Sequence, residues 1–175
     1  VVYGSATVDV SRSVVSGVDD PDDAGTQKLQ GDLLGVSISN ARLFIGSGAR
    51  LDVDSSSATY GTVSLPASDD SRAVGFSVEG GSLDLGIFTA REILTSGTTY
   101  TSLPSVRKYT GLEGALGKAQ LQGVDAVKLI GTGLVFQLNR TSVSNGAVLN
   151  WKQATLNAAQ VQLEATDPTF RIGGS

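Results

Sequence analysis

Apolar and polar residues alternate along most of the chain, and this period of two predicts β-strands. Near the start, Ala6, Val8 and Val10 alternate with Thr7 and Asp9. Successive side chains of a strand point to opposite faces, so alternation of this kind indicates a strand with one buried face. We expect a half-buried strand here.

Later stretches repeat the pattern, and two dipeptides between alternating runs predict tight turns. Gly80-Gly81 and Asn145-Gly146 suit two-residue hairpin turns, which need positive φ. At Ser39-Asn40 the apolar positions change from even to odd numbers, which indicates a turn or corner. The apolar positions that define these strands are Leu33, Val36, Ile38, Leu43, Ile45, Leu51, Val53, Val74, Phe76, Val78, Leu83, Leu85, Ile87 and Ile172.

Little helix is expected. Residues 151–159 suit a short helix by propensity, and residues 90–94 suit one helical turn. Pro104 argues against a long element in residues 89–110, because proline has no backbone N–H to donate.

Two parts of the sequence resemble each other at an offset of 85 residues. Residues 41–54 (ARLFIGSGARLDVD) align with residues 126–139 (AVKLIGTGLVFQLN), and further blocks follow in the same order. At an offset of 83, residues 29–33 also match residues 112–116. Repeated blocks in one order predict an internal duplication, with halves of about 1–88 and 89–175 in a single module.

The ends of the sequence suggest that the module belongs to a tandem array. Read head to tail, TFRIGGS followed by VVYGSATVDV forms an uninterrupted strand–glycine–strand passage. The chain contains no Met, so we expect it to be a segment of a longer protein or a processed product.

Composition excludes several kinds of site. The chain has no Cys and no His, which removes disulfides, thiolate metal sites and the commonest general base. Its net charge is −4 and its basic residues are scattered, which disfavours nucleic acid as a partner. No apolar stretch is long enough to predict a membrane span.

Acidic turns are the candidate metal sites. Ca²⁺ takes six to eight oxygen ligands, which closely spaced carboxylates and loop carbonyls can supply. Solvated polar turns are the alternative interpretation, since no EF-hand or nonapeptide calcium repeat is present. The candidate ligands are Asp19, Asp20, Asp22, Asp23, Asp52, Asp54, Asp69 and Asp70.

Catalysis has little support in the sequence, and we expect no enzyme. A pair of carboxylates is conceivable for glycoside hydrolysis, but the sequence does not place such a pair. The G-x-S-x-G and phosphate-loop motifs are absent. Trp151 is expected to be a core or packing residue rather than an exposed platform.

The duplicated glycine-containing blocks, the Gly/Ser/Thr/Val/Asp composition and the absence of Cys resemble repeat modules of very large secreted bacterial surface proteins. These are β-strand-repeat adhesins and matrix or surface-layer components. The resemblance implies an extracellular, non-catalytic module, often stabilised by calcium, whose partners are copies of itself.

We therefore expect an all-β fold. It is either an elongated β-solenoid-like stack, which the repeats favour slightly, or packed antiparallel sheets as in a sandwich. The leading functional hypothesis is a structural module of a fibre, surface layer or adhesin stalk. The alternative is an adhesin domain that binds a glycan or cell surface through the loops at 54–59 and 95–105.

Overall fold

A computed structural model of the chain describes residues 2–23, 26–64, 74–122, 130–155, 163–166 and 170–173. Most of these residues lie in long strands, which confirms the all-β fold class. The strands are β1 (Val2–Asp19), β2 (Lys28–Ser47), β3 (Arg50–Leu51), β4 (Val63–Ser64), β5 (Val74–Leu94), β6 (Thr101–Gln122), β7 (Ile130–Thr141) and β8 (Phe170–Gly173). A 3₁₀ turn (Pro21–Asp23) follows β1, and α1 (Trp151–Ala154) lies between β7 and β8.

Six of the strands form one antiparallel sheet in the order β1-β2-β5-β6-β7-β8. Every neighbouring pair is antiparallel, and β3 and β4 form a separate small hairpin between β2 and β5. Of the two predicted arrangements, antiparallel sheet pairing is the one observed, and the preferred solenoid-like stack is not. Strands in a solenoid pair with the next repeat, whereas these strands pair with their neighbours along the chain.

The strands are unusually long for a globular protein. β5 has 21 residues and β6 has 22, against a common length of about 5–6. At roughly 3.3 Å per residue, such strands extend for about 70 Å. The sheet is therefore much longer than the four-residue helix α1.

A line of backbone irregularities crosses several strands of the sheet at one level. Asn40 (φ 52°), Gly80 (φ 66°) and Gly133 (φ 60°) have positive φ in β2, β5 and β7. The pairing of β1 with β2 shifts between Ser5 and Thr7 at the same level. This explains the change of apolar phase at Asn40, where we expected a turn or corner. The strand continues through the irregularity instead of ending.

Two local predictions in β5 were wrong for related reasons. Gly80-Gly81 lies within the strand rather than at a hairpin turn, because Gly80 uses its positive φ at the irregularity just described. Residues 90–94 are extended and pair with β2 and β6 instead of forming a helical turn. Long-range pairing overrides the weak local helix propensity there.

Pro104 does not prevent a long strand, contrary to the prediction. Its position in β6 coincides with a shift in the pairing of β5 with β6, between Ala90–Arg107 and Glu92–Ser102. A proline costs no ladder hydrogen bond at an irregularity where the pairing is already interrupted. Residues 101–105, which we expected in an exposed loop, therefore belong to β6.

The segment after β7 is closer to its prediction. Asn145 has φ 55°, and Gly146 N donates to Val143 O at 3.1 Å, so a tight turn does lie at Asn145-Gly146. The residues that follow it are not a strand, so this turn does not make a hairpin. The short helix α1 then begins at Trp151, and the Asn150 side chain caps it by accepting from Gln153 N. The last part of the predicted helix, residues 156–159, lies outside the described residues.

One end of the sheet carries the main hydrophobic core, and Phe44 is fully buried separately, towards the other end. Residues 147–155 and 163–166, which we call the cap, pack over one face of the sheet. We call this side the capped face, and it holds Leu33, Phe88 and Tyr109. The buried cluster between the cap and this face comprises Val18, Leu29, Leu33, Phe88, Ala90, Tyr109, Leu149, Trp151, Ala154, Leu163 and Ala165.

Trp151 is the centre of this core, as the sequence suggested. It is fully buried, and its indole lies on the backbone of Gly86 and Gly111 in adjacent strands. A Cβ at Gly111 would come within 2.6 Å of the indole. Trp151 Nε1 donates to Asn139 Oδ1 at 3.0 Å, and Asn139 Nδ2 donates to Leu149 O at 2.9 Å. The two glycines thus form the trough that admits the ring.

The opposite side of the sheet, which we call the apolar face, holds the side chains that alternate with those of the capped face. The members of matched sequence blocks are not equivalent in this arrangement. Gly31 pairs with Ala90 on the capped face, whereas Gly114 lies beneath the ring of Phe136 on the apolar face. The two halves share one continuous sheet, and the duplication stays a prediction about the sequence.

The trough predicts that Gly111→Ala destabilises the fold. The added methyl must displace a fully buried indole, and overpacking of this kind costs about 1–3 kcal/mol. The free energy of unfolding from urea titration measures the effect. Gly4→Ala is the control, because a Cβ at Gly4 meets only ordinary contacts, the nearest at 3.5 Å. Equal stability of the two variants would contradict the trough.

Candidate interaction surface

The first acidic turn is held by hydrogen bonds and ion pairs within the chain. Asp20 is 2% exposed, and both of its carboxylate oxygens accept from Arg107 Nη1, at 3.1 and 2.9 Å. Asp22 accepts from Ala147 N at 2.7 Å, which ties the turn to the cap. Asp19 pairs with Lys28. These partners join the end of β1 to β6 and to the cap.

The second acidic turn is held by its own hydroxyl groups. Asp52 accepts from Thr59 Oγ1 at 2.7 Å, and Asp54 accepts from Ser56 Oγ at 2.7 Å. This polar loop lies where the sequence predicted it. Asp69 and Asp70, the third candidate pair, lie outside the described residues.

Donors in these turns lower the pKa of several carboxyl groups. The hydrogen bond from Lys28 lowers the pKa of Asp19, and the hydrogen bonds from Thr59 and Ser56 lower the pKa values of Asp52 and Asp54. Among the residues that the structure describes, no three acidic side chains are grouped closely enough to share a metal ion. Calcium binding at these turns stays a prediction.

A pair of carboxylates that the sequence did not reveal lies on the capped face. Asp84 and Glu113 are directly opposite each other in β5 and β6 and line a cavity of about 440 Å³. Glu113 accepts from Gln137 Nε2 at 2.9 Å and from Glu164 N at 2.7 Å. Glu113 thereby connects the sheet to the cap, which is a structural role.

The largest unexplained feature is the apolar face. Its side chains come from all six strands, and none of those with a described environment is fully buried. On the outer strands Val10 is 64% exposed, Val14 70% and Ile172 70%, whereas the members in β5, β6 and β7 are partly buried. The members are Val8, Val10, Val14, Leu34, Val36, Ile38, Leu83, Leu85, Ile87, Leu112, Leu116, Leu134, Phe136, Leu138 and Ile172.

No described helix or strand forms a second layer over this face. The main contacts between elements join neighbouring strands of a sheet, and α1 contacts β1 from the capped side. Antiparallel sheets commonly keep one face in water, but that face is then polar. Here the uncovered face is aliphatic.

Charged side chains border the apolar face at both ends. Towards the core end, Asp32 forms ion pairs with Arg12 at 3.4 Å and with Arg91 at 3.0 Å, and Lys108 and Arg140 lie nearby in β6 and β7. The hydrogen bond from Arg91 lowers the pKa of Asp32. Glu92 lies beside this group and accepts from Gln30 Nε2 at 2.7 Å. The four cations of the group outnumber the two carboxylates.

The other border is a polar groove of about 600 Å³ that crosses four strands at the backbone irregularities. Arg42, Glu79 and Lys118 line it, and Glu79 lies directly opposite Lys118. Both borders are therefore net positive, although the whole chain has a net charge of −4. An apolar centre with a polar rim is the usual anatomy of a protein interface.

The size of the apolar face also suits an interface. The width of the face is that of six strands about 4.8 Å apart. Its height is that of residues 8–14 of β1, at about 3.3 Å per residue. Together these dimensions give a planar area of roughly 600 Å². Two such surfaces in contact would bury roughly 1,200 Å², the lower end of the range for stable protein complexes.

Comparisons of the chain with protein-family models, curated proteins and solved structures find no match. No helix among the described residues has the length and apolarity needed to cross a membrane.

The buried Asp20–Arg107 pair predicts a large effect on stability. Asp20→Ala leaves a partly buried guanidinium without its main partner, and removing one member of a buried pair costs about 3–5 kcal/mol. Lys152→Ala is the control, because it breaks an exposed pair with Glu164, and such pairs contribute about 1 kcal/mol or less. Urea titration of both variants tests this, and equal losses would contradict it.

Proposed function

We propose that this chain is a structural module of an extracellular fibre, surface layer or adhesin stalk, and that it associates with copies of itself through the apolar face. The observation that carries the proposal is an aliphatic face, six strands wide, with no described layer over it. The extracellular setting rests on the resemblance in composition and repeat style.

Burial of aliphatic side chains would drive the association. Removing apolar surface from water contributes about 25 cal/mol per Å², although association also costs translational and side-chain freedom. Two copies that pack apolar face to apolar face make a β-sandwich, in which aligned sheets lie about 10 Å apart. Each copy then supplies the second layer that the other lacks.

The charged borders make the self-association depend on salt in a distinctive way. In a face-to-face pair, the net positive borders of the two copies lie at the periphery and repel each other. Added salt screens that repulsion and also strengthens apolar burial. A partner attracted to the cations, such as an anionic surface, would instead be released by salt.

Leu85→Lys places a charge at the centre of the apolar face and is expected to abolish the association. Sedimentation velocity across a dilution series, at about 50 mM and about 500 mM NaCl, brackets the range in which screening changes most. The unmodified protein is expected to dissociate on dilution and to associate more strongly at the higher salt concentration. The variant is expected to stay monomeric in both.

Ser37→Lys is the matched control, since it adds the same charge to the polar part of the capped face. Val36→Thr, which keeps shape and strand propensity, weakens the apolar face if Leu85→Lys does not fold. A monomeric unmodified protein at every concentration, or association that weakens with salt, would contradict the proposal.

A further inference from the structure

A second surface lies at the edge of the sheet, in strand β1. β1 is the first strand in the sheet order and pairs only with β2 along its 18 residues. No described strand pairs with its outer edge. Near its end, Gly17 N donates to Tyr100 Oη at 2.9 Å. The outward N–H and C=O groups of such an edge are a template for another strand.

Between its two irregularities, at residues 5–7 and 15–18, this edge has few of the features that usually prevent pairing. Natural edges are protected by proline, lysine, covering loops or very short strands. β1 contains no Pro and no Lys, and its charged residues before its last position are Asp9 and Arg12. Val8, Val10 and Val14 lie between and beside them, and all three are exposed.

The opposite edge of the sheet, formed by β7 and β8, is different. β8 covers part of the outer edge of β7, from Val135 to Leu138, and β8 itself has only four residues. This edge therefore offers no uninterrupted strand as long as β1. A second β1 is the one described edge that matches it in length.

We propose that β1 of one copy pairs with β1 of a second copy in an antiparallel arrangement about a two-fold axis. Two identical strands related by a two-fold axis perpendicular to the sheet run antiparallel, and each contact is made twice. The pairing joins two six-stranded sheets into one. Both apolar faces then lie on the same side.

Charge and backbone geometry restrict the register. Pairing centred on Asp9 or on Arg12 would bring two like charges face to face, which destabilises a sheet. Pairing centred on Val10 instead places Asp9 opposite Ser11 and Arg12 opposite Val8. The pairing with β2 shifts near residues 5–7 and 15–18, so the regular part of β1 is centred near the same position.

This inference shares one element with the proposed function, namely that the partner is a copy of the chain, but it uses a different surface. The β1 edge and the apolar face can therefore be tested separately. Face-to-face packing brings together side chains of the apolar face only, whereas Asp9 and Ser11 lie on the capped face.

Cysteine crosslinking tests the pairing directly, because the chain has no Cys of its own. Asp9→Cys and Ser11→Cys proteins are mixed, oxidised mildly and analysed on non-reducing gels and by mass spectrometry. Disulfides need Cβ atoms about 3.5–4.5 Å apart, which directly opposite residues approach. We expect the mixed dimer, with one copy of each variant, to form at least about tenfold faster than dimers of Ser37→Cys, an interior position in the same row.

The same mixture is tested with Leu85→Lys, or Val36→Thr, added to both proteins. Persistent crosslinking with loss of face association shows that the edge pairs independently. Loss of both would show that the β1 edges do not pair unless the apolar faces are in contact, and would overturn the inference of an independent edge. Crosslinking no faster than for Ser37→Cys would also overturn it, whatever sedimentation shows for the apolar face.

Discussion

A long sheet needs cover on its faces, and this chain has too few other described residues to provide it. Strands of about 70 Å present far more surface than the cap can hide. The cap covers one end of one face, where it buries Trp151 and its neighbours. On the other face, the aliphatic side chains of the outer strands are largely exposed and those of the central strands are partly exposed. This shortage of cover explains both the shape of the core and the proposal of self-association.

The core shows how closely the cap depends on the sheet. Trp151 fits because Gly86 and Gly111 lie side by side in neighbouring strands and have no side chains in its way. Asn139 fixes the indole and the cap backbone together. A buried ion pair between the turn after β1 and strand β6 closes the same end. The cap, the trough for the indole and this ion pair therefore lie together at one end of the sheet.

The sequence predicted strands well and their connections poorly. Alternation identified β1, and the asparagine-glycine pair identified a real turn before α1. The hairpin turn predicted at Gly80-Gly81 was wrong because a glycine with positive φ occurs both in hairpin turns and within irregular strands. The local sequence does not distinguish these two structures. The prediction that Pro104 prevents a long strand was wrong because strand pairing is already interrupted there, so a residue without a backbone N–H costs no hydrogen bond. Which side of the sheet the cap would cover depends on contacts between distant residues.

The sequence predicted part of the interaction surface. The alternating runs in β2 and β5 showed that one face would be apolar, but alternation does not reveal whether another layer covers it. The acidic turns suggested metal sites because closely spaced carboxylates can bind Ca²⁺. In the structure, Asp20 pairs with Arg107 and Asp22 accepts a hydrogen bond from the cap. Asp84 and Glu113 are far apart in sequence and become neighbours only through strand pairing.

Small-angle X-ray scattering across a dilution series tests the central claim, that a second copy covers the apolar face. At high dilution the particle is expected to have the thickness of one copy. As concentration rises it is expected to become thicker by at least about 10 Å, because the second copy adds its own sheet. The same change should be absent in Leu85→Lys. A thickness that stays the same at every concentration in the unmodified protein would contradict the account.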